Sequence, residues 1–263
     1  AGNMFNEFNS GAYVVGRCFP DIKVYIDGRT EVYGADFFKR YLKIVHDQNT
    51  AVLADDLERY DISIALLNTV RTEAPEKILK FFYDHEEWDL VYLDYDGCVF
   101  LKNVPEHQDV IARFRIDPEA WTPQLLNAYR LGSRKVVPYR NINRAYTLEA
   151  LGFPHKALEE CRAALTIYPG YPEAFALLGQ IYARDKKFES AFHYFRLAAT
   201  YDSGNRKIRT NLARMYEELG YYDEALNQYR ILRERFPSSA APYFLTARAL
   251  VRKGRPDLAA AYV

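Results

Sequence analysis

Pro172-Glu-Ala-Phe-Ala-Leu-Leu-Gly-Gln-Ile-Tyr-Ala-Arg184, then Asp-Lys-Lys, then Phe188-Glu-Ser-Ala-Phe-His-Tyr-Phe-Arg-Leu-Ala-Ala-Thr-Tyr201 is a helical hairpin written in sequence. Both long segments carry apolar residues at helical spacing, and the three polar residues between them leave room only for a tight turn. The pattern recurs. Ala157, Ala191, Ala225 and Ala259 follow one another at a constant interval of 34 residues, and a period of that length marks stacked helical repeats. In the same register Ala145, Gly179, Ala213 and Ala247 fall in the first helices, and Cys161, Phe195, Tyr229 and Val263 in the second. Small residues recur because two helices on a short turn approach closely only where one of them presents little side chain.

The turns follow the same register. Gly152, Gly220 and Gly254 stand where a first helix ends and a left-handed residue is needed, with Lys186 in that place in the second repeat. Pro169 and Pro237 close the first and third repeats. These residues, with Tyr182 and Tyr216 mid-helix and Ala164 and Ala198 late in second helices, resemble the tetratricopeptide repeat family over residues 138–263. The expected units are 138–171, 172–205, 206–239 and a partial 240–263, an all-α superhelix expected to continue beyond Val263 because stacked repeats need a polar cap.

The resemblance implies a binding function with no cofactor and no metal. In that family the concave face is built from set places in the first helices, which here hold Tyr146, Gln180, Arg184, Lys207, Arg214, Arg248 and Arg252. A basic, partly aromatic groove interrupted by Glu173, Glu217 and Glu218 is expected, suited to an acidic protein or peptide partner. Asparagines that grip a C-terminal carboxylate in some members are absent, so that specific activity is not implied.

Residues 1–103 change period. Apolar runs at Lys23–Asp27, Ile62–Leu67, Trp88–Leu93 and Gly97–Leu101, with a possible fifth at Met4–Phe8, read as strands. Amphipathic stretches at Ala35–His46, Ala51–Tyr60 and Pro75–Glu86 read as helices. An α/β domain of about five strands follows, and Asp94-Tyr-Asp-Gly97 joins the last two as a hairpin. Residues 104–137 read as a packed connector with a helix over Pro123–Leu131 and with Phe114 and Trp121 buried.

One cluster in the α/β domain has possible chemistry. Asp27, Arg29, Glu31 and Tyr33 lie where a strand emerges, the place where α/β proteins put ligand sites. Two readings stay open: a ligand loop, with the acids as metal ligands or proton carriers and Arg29 holding an anion, or an ion pair that orders the loop.

Asn9-Ser-Gly-Ala-Tyr13 and Pro20–Tyr33 resemble the extracytoplasmic C-terminal segment of bacterial multi-pass membrane proteins similar to mannosyltransferases and oligosaccharyltransferases. That resemblance, over residues 4–103, implies attachment through a membrane segment upstream of Ala1 and a periplasmic location. It further implies that any catalytic acids precede Ala1, so that this chain alone is no enzyme. The α/β domain would then be an accessory domain for a sugar, lipid-linked donor or acceptor peptide. Glu7-Phe-Asn-Ser-Gly11 occupies a setting analogous to the acceptor-reading motif of the oligosaccharyltransferase, but only the glycine matches, and no role is carried over.

Composition bounds the rest. The 263 residues are 49% hydrophobic and 27% charged, ordinary for globular domains. Zero net charge gives no basic patch of the kind nucleic-acid binding requires. The charge is uneven, with 18 acidic against 11 basic residues in 1–103 and 17 against 24 thereafter. Cys18, Cys98 and Cys161 show no metal-ligand spacing and read as buried thiols, with a Cys18–Cys98 disulfide as the alternative. No phosphate-binding loop, nucleophile elbow or zinc-protease motif occurs.

Overall fold

The computed structural model describes residues 2–70, 76–123 and 137–262. The helix expected over Pro123–Leu131 falls on residues outside that set from 124 onward, as does Val263.

The chain opens with β1 (Gly2–Asn6), α1 (Phe8–Cys18), β2 (Ile22–Val24), α2 (Thr30–Val45), α3 (Thr50–Arg59) and β3 (Ile62–Asn68). It continues through α4 (Glu76–Asp84), β4 (Trp88–Asp94), β5 (Gly97–Lys102) and α5 (Gln108–Phe114). The five strands form one sheet in the order β2-β1-β3-β5-β4. β1 pairs parallel with both β2 and β3, and β5 runs antiparallel to β3 and β4. Asp94 faces Gly97 in the β4–β5 register, so the expected hairpin is present with Tyr95 and Asp96 at its tip. Phe5, Ile26, Leu53, Leu67, Leu79, Phe82 and Phe100 are fully buried around this sheet.

Three expectations are corrected. Phe8 does not end a strand but begins α1, a helix that the run of glycines and β-branched residues in Phe8–Cys18 conceals. β2 stops at Val24: Tyr25 N–H still donates to the Met4 carbonyl at 2.8 Å, shared with Asn6 Oδ1 at 3.0 Å, and the next amide, Ile26, reaches only the Asn6 side chain at 3.5 Å. Phe114 is exposed, covered on one face by the Arg113 guanidinium 5.0 Å from its ring, and Trp121 is only half-buried. The three cysteines are free thiols, Cys98 and Cys161 buried as expected but Cys18 only half-buried, and burial pushes Cys98 far above its ordinary value.

The second half is all helix: α6 (Tyr139–Leu151), α7 (Pro154–Ile167), α8 (Pro172–Arg184), α9 (Phe188–Tyr201), α10 (Arg206–Glu218), α11 (Tyr222–Arg235), α12 (Ala241–Arg252) and α13 (Pro256–Ala259). Two compact units result. One holds the sheet together with Tyr139–Glu160, and the other holds the chain from Cys161 onward together with the short segment that ends at Pro138. Within the first unit, Arg144 of α6 is almost buried between Asp94 at 3.3 Å and Glu160 at 3.0 Å, and Tyr83 packs edge-on to Phe153.

The repeat register is visible in the packing. Ala157, Ala191 and Ala225 have no exposed surface and Ala259 almost none. A Cβ on Gly179 would lie 2.9 Å from the Phe195 ring, so α8 and α9 touch where the sequence removes the side chain. Gly152, Gly220 and Gly254 have φ of 96°, 82° and 81°, and Lys186 adopts 59° in the equivalent turn. Among the described residues no helix is long and apolar enough to cross a membrane.

Candidate functional site

The residues expected to line the groove lie on first helices, each at the place the 34-residue register gives it. Tyr146 is half-buried in α6, within the first unit. Gln180, half-buried, and Arg184, exposed, lie on α8. Lys207 and Arg214 are exposed on α10, and Arg248 and Arg252 stand on α12.

Charge on these helices is partly cancelled from within. Glu217 has no exposed surface, and its carboxylate accepts from Arg248 at 2.8 Å, Arg252 at 3.3 Å and the Tyr229 hydroxyl at 2.5 Å. Arg252 also makes a two-pronged pair with Glu218 at 2.8 and 3.1 Å, which holds the Glu218 carboxyl below its ordinary value. Burial, then the Glu217 bond, drives the Tyr229 hydroxyl upward. Arg248 and Arg252 therefore act as ties between repeats. Among the described residues neither Lys207 nor Arg214 makes an ion pair, and both remain open to solvent.

The loop after β2 is closed by its own charges. Asp27 is buried and accepts from the Arg29 amide at 2.9 Å and from its guanidinium at 2.5 to 3.2 Å, with Tyr33 also bonded to the carboxylate. Glu31 is exposed in the first turn of α2 and makes no hydrogen bond to this cluster. Arg29 and Tyr33 border a hollow of about 240 Å³ with Val15, Phe19, Lys23 and Val24, and Asp27 does not line it. An acid so engaged has little freedom to carry protons or metal, and the ion-pair reading of the loop accounts for its geometry. No group of three or more metal-ligating side chains occurs among the described residues.

Arg29 holds the Asp27 carboxyl down to about 2, below its ordinary value of 3.8. A depressed carboxyl stabilises the fold above its unfolded value and loses that contribution as the pH falls through the folded one. Asp27→Ala should therefore lower the melting temperature at pH 7, with the gap to the parent chain closing between about pH 4 and 2. Thermal melts across that window, followed by tryptophan fluorescence, decide it; a constant gap would trace the cost to lost packing instead.

Residues 142–205 and 210–263 match the family model of the tetratricopeptide repeat. These residues carry tetratricopeptide repeats. Crystal structures of MamA are similar in fold, one at 20% identity over 48% of this chain and 73% of that chain with a TM-score of 0.44. A tetratricopeptide repeat protein from Parabacteroides merdae ATCC 43184 is similar at 23% identity over 48% of this chain and 49% of its own, TM-score 0.41. No curated protein matches.

Two features lay beyond the sequence reading. The first is Glu217 as a buried hub. Its position one repeat before Val251, which Arg248 and Arg252 flank, was the signal for it. The second is a cavity beside Glu7, which depends on sheet order and had no local signature.

Proposed function

We propose that the tetratricopeptide repeats dock an acidic protein or peptide along their first helices, and that the chain itself performs no catalysis. The observation that carries the reading is the exposure of Lys207 and Arg214 on α10, which make no ion pair among the described residues, in an array whose family builds extended concave binding surfaces. Arg248 and Arg252 contribute less, being engaged by Glu217 and Glu218. The likeness of Asn9–Tyr13 and Pro20–Tyr33 to extracytoplasmic segments of membrane glycosyltransferase-like proteins supports, within the same proposal, a membrane-attached, periplasmic setting in which the repeats recruit a partner or substrate.

Peptides selected from a random display library by the 263-residue chain should be rich in Asp and Glu. Binding measured by fluorescence anisotropy should weaken about tenfold in the Lys207→Glu, Arg214→Glu double variant, and should weaken with added salt. Selection of apolar or basic peptides, or affinity indifferent to both substitutions, would overturn the reading.

A further inference from the structure

The cavity beside Glu7 belongs to neither the repeats nor the Asp27 loop. β1 lies between β2 and β3; the chain leaves it through α1 to reach one neighbour and returns through α2 and α3 to reach the other. In open parallel sheets this divergence leaves a crevice outside the carboxyl ends of the strands, where ligands bind. Here the crevice is a cavity of about 470 Å³ lined by Glu7, Asn9, Tyr41, Val45, His46 and Gln48. That volume lies in the range of roughly 300 to 1,000 Å³ usual for small-molecule sites.

Its charge is distinctive within this protein. The buried carboxylates among the described residues are Asp27, Asp56, Asp89, Glu160 and Glu217. Each has an arginine: Arg29 at 2.5 Å, Arg40 at 2.6 Å, Arg115 at 2.9 Å, Arg144 at 3.0 Å and Arg248 at 2.8 Å respectively. Glu7 is half-buried, yet among the described residues it has no ion pair, and a cavity adjoins it. Burial pushes its carboxyl up to about 7, against a lowering hydrogen bond from the Asn68 backbone. The groups facing it from packed elements are Tyr41 of α2, His46 just after that helix and the Asn68 backbone of β3; Lys77 of α4 approaches through its backbone N–H, 2.8 Å from Gln48 Oε1. An anionic ligand has little to hold it, because Phe8 N–H at the start of α1 already donates to Tyr41 Oη at 3.0 Å and Ser10 N–H to the Glu7 carbonyl at 3.0 Å.

We propose that this cavity binds a small organic cation, an ammonium or guanidinium group that pairs with Glu7 while the Asn9 and Gln48 amide oxygens accept its remaining hydrogens. A ligand cation there plays the part the five arginines play for the other carboxylates, restoring the attraction that burial otherwise costs. The excess of 18 acidic over 11 basic residues in 1–103 draws cations toward this unit. The inference is independent of the repeat reading and stands or falls separately from it.

Calorimetric titration of the whole chain with agmatine, which carries both cationic groups, tests it. Glucose, glutarate and Mg²⁺ serve as neutral, anionic and metal counterparts. Agmatine should bind at pH 8 and bind about tenfold more weakly at pH 6, because Glu7 takes up its proton near pH 7. Near pH 7 each binding event should release about half a proton, read from titrations in two buffers of different ionisation heat. Glu7→Gln should abolish binding while circular dichroism stays unchanged, and His46→Gln should keep the pH dependence. Should Glu7→Gln fail to fold, proton release by the parent chain decides. Absence of agmatine binding, binding without proton release, binding that survives Glu7→Gln, or preference for any of the three counterparts would overturn the proposal.

Discussion

Gly11→Ala should destabilise the first unit by on the order of 4 kcal/mol, whereas Gly16→Ala, five residues along the same helix, should stabilise it by about 0.5 to 1 kcal/mol. The two glycines share α1 and differ in what stands over them. A Cβ on Gly11 would lie 2.0 Å from the Ile26 carbonyl oxygen, 2.8 Å from the Asp27 Cα and 2.9 Å from the Asp27 Cβ. Two of those atoms are backbone, and the Ile26 carbonyl is itself held by the Asn6 side-chain amide at 2.7 Å. Relief would mean moving the segment that carries the Asp27–Arg29 pair, so the cost should exceed the usual 1 to 3 kcal/mol of overpacking. Nothing lies within 4 Å of a Cβ on Gly16, and there alanine brings only its better helix propensity. Urea unfolding followed by tryptophan fluorescence resolves both, since Trp88 and Trp121 are the chain's two tryptophans and both precede the repeats. Equal stability of Gly11→Ala and the parent would refute the close approach of α1 to the Ile26–Asp27 segment that follows β2.

That contrast shows what sequence can and cannot carry. The repeats were legible because helix packing repeats its demands every 34 residues, and Ala157, Ala191 and Ala225 answer each time with a residue buried to the last atom. Strands β3, β4 and β5 were legible as apolar runs bounded by turn residues. Helix α1 was not, since Gly11, Val14, Val15 and Gly16 all disfavour helix locally; Val14, buried against the sheet, and the fit at Gly11 hold it. Losing α1 also hid the Glu7 cavity, because a crevice at the end of β1 exists only once α1 and α2 are known to leave the sheet on their separate paths. For the groove, sequence gave the places of Arg248 and Arg252 and missed their engagement, which depends on Glu217 being turned inward.

Glu217→Ala should destabilise the repeat unit by about 3 to 5 kcal/mol, the range for breaking a buried ion pair from one side. The three partners will not share that cost evenly. Arg248 and Arg252 have side chains 33% and 35% exposed and can turn toward water, whereas Tyr229 is wholly buried and its hydroxyl would be left without an acceptor. Adding Tyr229→Phe to Glu217→Ala should therefore recover about 1 kcal/mol, although Tyr229→Phe alone should cost about as much in the parent chain. Denaturation followed by far-ultraviolet circular dichroism gives the cycle, and additivity of the two substitutions would show that the hydroxyl does not depend on Glu217. The same variant separates stability from binding. With its carboxylate gone, Arg248 joins Lys207 and Arg214 as a solvent-facing cation, while Arg252 stays with Glu218. A less stable array should then hold acidic peptides more tightly below its melting point, the opposite of what general loosening of the groove would produce.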